Sequence, residues 1–280
     1  MQSSNWSVLK KLGREPLAIF GIIIIFIFFL LAVLAPVIST HDPLKVDVLN
    51  RLQGPSKEHF LGTDELGRDI YSRIIFGTRK TLQAGVTIVG LAFLIGTSLG
   101  SIAGFFGGLI ETVIMRAVDI FMSIPYLVLA LAVAAALGPS LIHAVIALSF
   151  AWWPWYTRMI RGQILSVKEN DYIEGGRAVG ASSTRILFRH ILPNCISPVI
   201  VLATLDMGMA IIMAAGLSFI GVGAQPPSPE WGAMLSTGRD YLTTAWWYPI
   251  FPGLTLSLAV LGFNLLGDSF RDTLDPKWRR

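Results

Sequence analysis

The sequence predicts an all-α integral membrane protein with about six transmembrane helices and both termini cytoplasmic. Three observations carry that prediction. Of 280 residues, 53% are hydrophobic and only 14% charged, against about a quarter charged in soluble domains. The apolar residues come in long runs. A helix rising ~1.5 Å per residue needs roughly 20 of them to cross the hydrocarbon core. The lysines and arginines gather between the runs, unevenly about the two faces.

The runs place spans at Leu17–Ile38, Ala84–Phe106, Thr112–Leu137, Leu141–Thr157, Ser197–Ile220 and Trp247–Leu266. Backbone groups in lipid must be satisfied internally, and these runs are too long for barrel strands, so helices follow. Lys10, Lys11 and Arg14 precede the first run as in a signal peptide. That run exceeds a signal core of ~7–15 residues. It ends at Ala35-Pro36-Val37 without a good small-residue cleavage site, so an uncleaved first helix is expected.

With the N-terminus inside, fourteen of the 22 lysines and arginines fall on the cytoplasmic side. Most of the others lie in one longer outer segment, balanced there by Asp42, Asp47, Glu58, Asp64, Glu65 and Asp69. The chain divides into a tail and first helix (1–40), an external segment (41–83) and a core (84–280). The core holds five spans and a long cytoplasmic loop over 158–195. In the external segment Leu66, Ile70 and Ile74 share a helical stripe, which predicts a short amphipathic helix at the membrane surface. A third non-spanning segment, Gly221–Trp246, is external and reads as a row of turns through Pro226, Pro227 and Pro229. Trp246 and Trp247 stand where an interfacial aromatic belt would be.

Chemistry is sparse. The net charge of +4 comes with no continuous basic face, so nucleic acid is not the expected partner. A single cysteine, Cys195, excludes an intrachain disulfide. No lysine follows a glycine, so the phosphate-cradling loop of ATPases is missing. There is no His-Glu-x-x-His, no Gly-x-Ser-x-Gly and no metal-ligand spacing. His41, His59, His143 and His190 are scattered, and His143, the one within a span, reads as a packed histidine. No catalytic, cofactor-binding or metal-ligating residue is expected.

Charge at the bilayer centre costs at least ~2.5 kcal/mol, so ionisable residues inside spans carry a functional default. Arg116 and Asp119, three apart, share a helix face and could pair near the cytoplasmic end. Asp206 lies deep in its span, in the context Asp206-Met207-Gly208-Met209. It is the candidate for a group facing a pathway or pairing two helices. Gly96, Gly100 and Gly104 have the small-xxx-small spacing of close helix packing, within the subunit or against a partner.

The stretch from Asp171 to Asn194 reads as two short helices joined by a turn. The first runs from about Val167 to Val179, and Gly180 fits the left-handed position after it. Ser182 or Ser183 caps the second. That helix carries Ile186, Leu187, His190 and Ile191, with Arg185 and Arg189 beside them, so it is apolar on one side and basic on the other, and Pro193 closes it. Such a hairpin suits docking into a groove on a soluble partner.

This segment resembles the coupling loop of ABC-transporter permeases. Glu174, Gly180, Leu192 and Pro193 match at the family's spacing, with Gly175 and Gly176 where the family has alanines. Two glycines cost roughly 1–2 kcal/mol of helix propensity. Leu61-Gly-Thr-Asp-Glu-Leu-Gly-Arg-Asp-Ile70, Pro226-Pro-Ser-Pro-Glu-Trp-Gly-Ala-Met234 and Phe263-Asn-Leu-Leu-Gly-Asp-Ser-Phe-Arg-Asp-Thr-Leu-Asp-Pro276 are similar to signatures of the peptide and nickel branch. The C-type subunits of dipeptide and oligopeptide permeases are the nearest resemblance.

The resemblance implies a type I ABC importer permease fold in the bacterial inner membrane. It also implies a second homologous permease, two ATPase subunits holding ATP and Mg, and an extracytoplasmic binding protein. The expected cargo is a di- or oligopeptide. A nickel or glutathione-like importer is the alternative, and a stand-alone secondary transporter the alternative from another class.

Overall fold

The computed structural model of the chain describes residues 15–274. Lys10, Lys11, Arg14, Asp275, Pro276, Lys277, Arg279 and Arg280 lie outside the described residues.

Helix α1 (Pro16–Ile38) opens on a proline at its first position, where no backbone donor is needed. It exposes Leu17, Phe20, Phe26 and Phe29 outward, as a lipid-facing helix must. Gly21 lets it press on the last helix, where a Cβ would stand 3.0 Å from the Gly262 carbonyl oxygen. Helix α2 (Ile70–Phe106) is capped by Asp69, whose carboxylate accepts the Ser72 N–H at 2.8 Å. The sequence predicts a surface helix here and a separate span from Ala84. The structure has one continuous helix of 37 residues, so the boundary between 83 and 84 falls inside it. No proline interrupts this stretch. Its apolar stripe does not lie on a membrane surface either, because Ile70 and Ile74 are buried against Trp231, Met234 and Tyr248.

The expected span Thr112–Leu137 is two helices, α3 (Gly108–Met122) and α4 (Tyr126–Leu137). They are bent by 86° at the break. Pro125 explains it: proline supplies no N–H and pushes the preceding residue out of helical geometry. Helix α5 (Leu141–Lys168) runs well past the expected Thr157. It lies against α2, and the small-residue spacing is used there, within the subunit. A Cβ at Gly96 would meet the Trp153 carbonyl oxygen and Tyr156 Cβ at 2.5 Å, and one at Gly104 would meet Ile164 at 3.1 Å.

Beyond α5 the chain forms α6 (Asp171–Ala178), α7 (Ser183–Ile186), a π-helical turn over Leu187–Ile191, and α8 (Leu192–Ile220). A short helix α9 (Trp231–Gly238) follows, then α10 (Trp247–Leu274). Among the described residues, four helical stretches are long and apolar enough to cross a membrane: 16–38, 70–106, 183–220 and 247–273. The bent α3–α4 pair makes a fifth if taken as one span. The sixth expected span, in α5, falls short of that standard. Its middle carries Trp152, Trp153, Pro154, Tyr156 and Arg158. It packs among α2, α3, α4 and α8.

The row of turns expected over 221–246 contains α9, whose Trp231 is fully buried and donates Nε1–H to the Ile74 carbonyl at 3.0 Å. Trp247 of the expected aromatic belt donates to the Thr63 carbonyl at 3.2 Å, tying the 40–69 segment to α10. The α6–α7 hairpin and the 40–69 segment sit at opposite ends of α2. Lys168 Nζ donates to the Phe105 carbonyl at 2.7 Å near one end, and Arg73 reaches the Pro227 carbonyl at 3.3 Å near the other. A helix of that length separates them by about 55 Å, more than a bilayer core.

Candidate functional site

Two features dominate: a cavity between the helices and the hairpin at one end. The cavity is about 620 Å³. Phe121, Tyr126, Trp152 and Trp155 give it aromatic walls, and Asp206 and Asn264 are among its few polar groups. The α3–α4 break opens onto it through Ile124 and Pro125. Non-helical backbone at membrane depth survives only where it is buried or lines such a space. The first turn of α4 has no side-chain cap, leaving its N-terminal dipole uncompensated beside the cavity.

Asp206 on α8 accepts a hydrogen bond from Tyr156 Oη on α5 at 2.6 Å and also lines the cavity. Its geometry therefore includes both a helix pair and a position on the space between helices. Asp119 does not pair with Arg116, as the spacing suggested. Arg158 of α5 reaches it at 2.5 Å, and Arg161 takes Glu111 through Nε at 2.7 Å. Tertiary partners across α3 and α5 outcompete the same-face neighbour, and Arg116 stays exposed. His143 Nδ1 meets the carbonyl of Gly138, the residue that ends α4, at 2.8 Å.

In the hairpin, Gly180 adopts φ +81° and Ser182 caps α7 by accepting the Arg185 N–H. Ile173, Ile186, Leu187 and Ile191 are buried together under α5. The opposite face shows Glu174, Gly175, Arg185, Arg189, His190 and Pro193, with Tyr172, Val179 and Phe188 among them. Neither Arg185 nor Arg189 has a salt-bridge partner among the described residues. Gly176 and Leu192 are half-buried. The first helix is shorter than the expected Val167–Val179, and Pro193 does not close the second. Proline sits at the start of α8, where its missing N–H is harmless. The π turn carries the helix through, so the hairpin is continuous with a membrane span.

At the other end, the Gly62–Asp69 stretch folds on Asp64, which accepts from the Leu66 and Arg68 N–H groups at 2.9 Å and from Arg68 Nε at 2.7 Å. Glu230 caps α9 through the Gly232 and Ala233 N–H groups, both at 3.0 Å. Burial holds its carboxyl above the ordinary value, and those two donors offset part of the rise. Tyr156, which partners Asp206, does not stand out in the sequence, whereas Asp206 does. Arg73 belongs to the stretch that resembles a family signature, but its reach to the Pro43 and Pro227 carbonyls is visible only in the fold.

A helical chain that encloses an apolar space between membrane-spanning helices and presents an exposed basic hairpin at one end has the build of a membrane transport component. It belongs to the family described as the binding-protein-dependent transport system inner membrane component, which matches residues 96–280. The N-terminal TM domain of oligopeptide transport permease C matches residues 4–55. Such chains are ABC importer permeases, which work with a binding protein and with ATPase subunits, and the ATPase subunits carry the hydrolysis. The chain is 46% identical to the dipeptide transport system permease protein DppC of Alkalihalophilus pseudofirmus, over 99% of this chain and 91% of that one. It is 47% identical to the probable D,D-dipeptide transport system permease protein DdpC of Escherichia coli, over 95% and 89%. The glutathione transport system permease protein GsiD of Pectobacterium atrosepticum is 43% identical, over 96% and 89%. In the solved MetNI methionine ABC transporter, an aligned chain is 20% identical with a TM-score of 0.58, covering 74% of this chain and 98% of that one. The fold is thus that of a type I ABC importer permease.

Proposed function

We propose that this chain forms, with a second homologous permease, the peptide-conducting pathway of an ATP-driven importer in the bacterial inner membrane. The observation that carries the reading is the aromatic cavity whose lining includes both a carboxylate and an uncapped helix N-terminus. A dipeptide is a zwitterion with apolar side chains. Asp206 suits its ammonium group, the α4 N-terminus suits its carboxylate, and the aromatic walls tolerate varied side chains. Both termini then face the cytoplasm, where the hairpin docks on one of two ATPase subunits. ATP-driven closure of that pair moves the hairpin and, through the unbroken π turn, moves α8.

The test is uptake in cells with and without the chain, offering a labelled dipeptide, a longer peptide, glutathione and nickel. Loss of dipeptide uptake alone is the expected result. Loss of glutathione uptake alone favours the second reading, which the 43% identity to a glutathione permease supports. Retained peptide uptake in the deletion overturns the assignment. N-acetylation of the dipeptide removes the ammonium group and is expected to abolish its uptake.

A further inference from the structure

We propose that His41, His59 and Glu58 form a binding site for a divalent transition-metal ion of the zinc class at the outer end of the molecule. In sequence these residues show no metal-ligand spacing. The fold brings them together because the chain leaving α1 doubles back over the cap of α2. One ligand atom from each lies within 4.8 Å of the others. The two imidazole rings have centroids 4.7 Å apart and are tilted by 33°.

The surroundings fix how the rings present themselves. His59 is buried and sits in a tight turn, its N–H bonded to Ser56 Oγ at 3.0 Å and its carbonyl to the Gly62 N–H at 2.9 Å. Its Nδ1 lies 3.0 Å from Asp69 Oδ1, and that carboxylate already accepts the Ser72 N–H of the α2 cap. An acceptor-only carboxylate makes His59 Nδ1 the donor and leaves Nε2 with its lone pair. His41 repeats the pattern through one more residue. Its Nδ1 stands 2.9 Å from Thr40 Oγ1, whose hydroxyl donates to Asp69 Oδ2 at 3.4 Å. Both imidazoles thus turn Nδ1 toward a single carboxylate, His59 at 3.0 Å and His41 at 3.9 Å with Thr40 Oγ1 between.

That is the outer-shell arrangement by which metal-ligating histidines are oriented and made more basic. Two imidazoles and a carboxylate suit zinc and similar borderline ions, with a fourth position for water. Tetrahedral bonds of about 2.0–2.2 Å set the donors roughly 3.3–3.6 Å apart, so binding draws the ligand atoms in from their present spread of up to 4.8 Å. Glu58 is exposed and His41 half-exposed, so the ion has an entry path. Bound there, it would clasp the end of α1, the 56–62 turn and the α2 cap together.

The experiment uses the full-length chain, purified in detergent without a histidine tag and titrated with Co²⁺, with Zn²⁺ as competitor. The expected result is one equivalent bound, with a visible ligand-field band that Zn²⁺ abolishes. His59→Ala and His41→Ala should each weaken binding at least tenfold, and Asp69→Asn by about 10–100-fold through loss of orientation. Asp69 also caps α2, so its variant tests folding and binding together. Glu58→Gln, on an exposed side chain, keeps the test intact and should weaken binding with an unchanged elution profile. His143→Ala should bind as the unaltered chain does. Equal binding by the His41→Ala/His59→Ala double variant, or no binding by the folded unaltered chain, overturns the proposal.

Discussion

Asp206 and Tyr156 join two helices with a single 2.6 Å hydrogen bond at the edge of a cavity. Replacing Tyr156 with Phe keeps the ring and deletes the donor, leaving the carboxylate without its partner. We expect a loss of about 1–3 kcal/mol in thermal or denaturant unfolding. Asp206→Asn keeps an acceptor for Tyr156 and removes the charge. It should therefore unfold near the unaltered chain while dipeptide uptake falls, and full uptake would end the ammonium reading. Glu230 gives a pH effect whose sign is fixed by its burial. Its carboxyl is held above the ordinary value of 4.5, so the folded chain binds the proton more tightly than the unfolded one. Stability then falls as pH rises from that ordinary value through the raised one. Glu230→Gln should flatten this slope in unfolding curves taken from pH 4 to 8. Asp206 was legible in the sequence because a carboxylate in an apolar run is costly anywhere. Tyr156 and the His41–His59 pair were not, because their roles depend on partners brought together only by the fold.

The helical hairpin was legible for a similar reason: Gly180 and Ser182 are local signals, and local geometry alone fixes a left-handed turn and a cap. Its continuation was not. Pro193 reads as a stop in a linear sequence, yet a proline at the start of a helix costs nothing, and the π turn before it needs no particular residue. The α3–α4 bend was likewise hidden, since Pro125 inside a long apolar run looks like a tolerated kink. At Gly175 and Gly176 an added Cβ would meet nothing within 4 Å. Alanine at both should stabilise α6 by about 1 kcal/mol each through backbone entropy alone. Slower hydrogen exchange over residues 171–178 would register it. At Gly180 the same reasoning reverses. With φ at +81°, Gly180→Val strains the turn by roughly 1–2 kcal/mol. Uptake should fall while the amount of chain in the membrane stays level, and normal uptake would detach the turn from coupling.

Across the whole molecule, the cavity and the hairpin lie on one continuous body, linked by α5 and α8, yet they face different tasks. If the hairpin transmits ATPase motion and the cavity holds solute, damage at the two places must fail differently. Arg185→Glu with Arg189→Glu reverses the exposed charge without touching the buried Ile173–Ile186–Ile191 side. In the assembled transporter this variant should lose its ATPase subunits on purification while its permease partner stays attached. Asp206→Asn should keep every subunit and keep the rise in ATP hydrolysis that loaded binding protein provokes, while moving less peptide. Coupling through a rigid span requires this separation. A solute defect that also released the ATPase subunits would mean that Asp206 holds the helices in register rather than meeting the cargo. A charge-reversed hairpin that still retained them would place the docking surface elsewhere on the face.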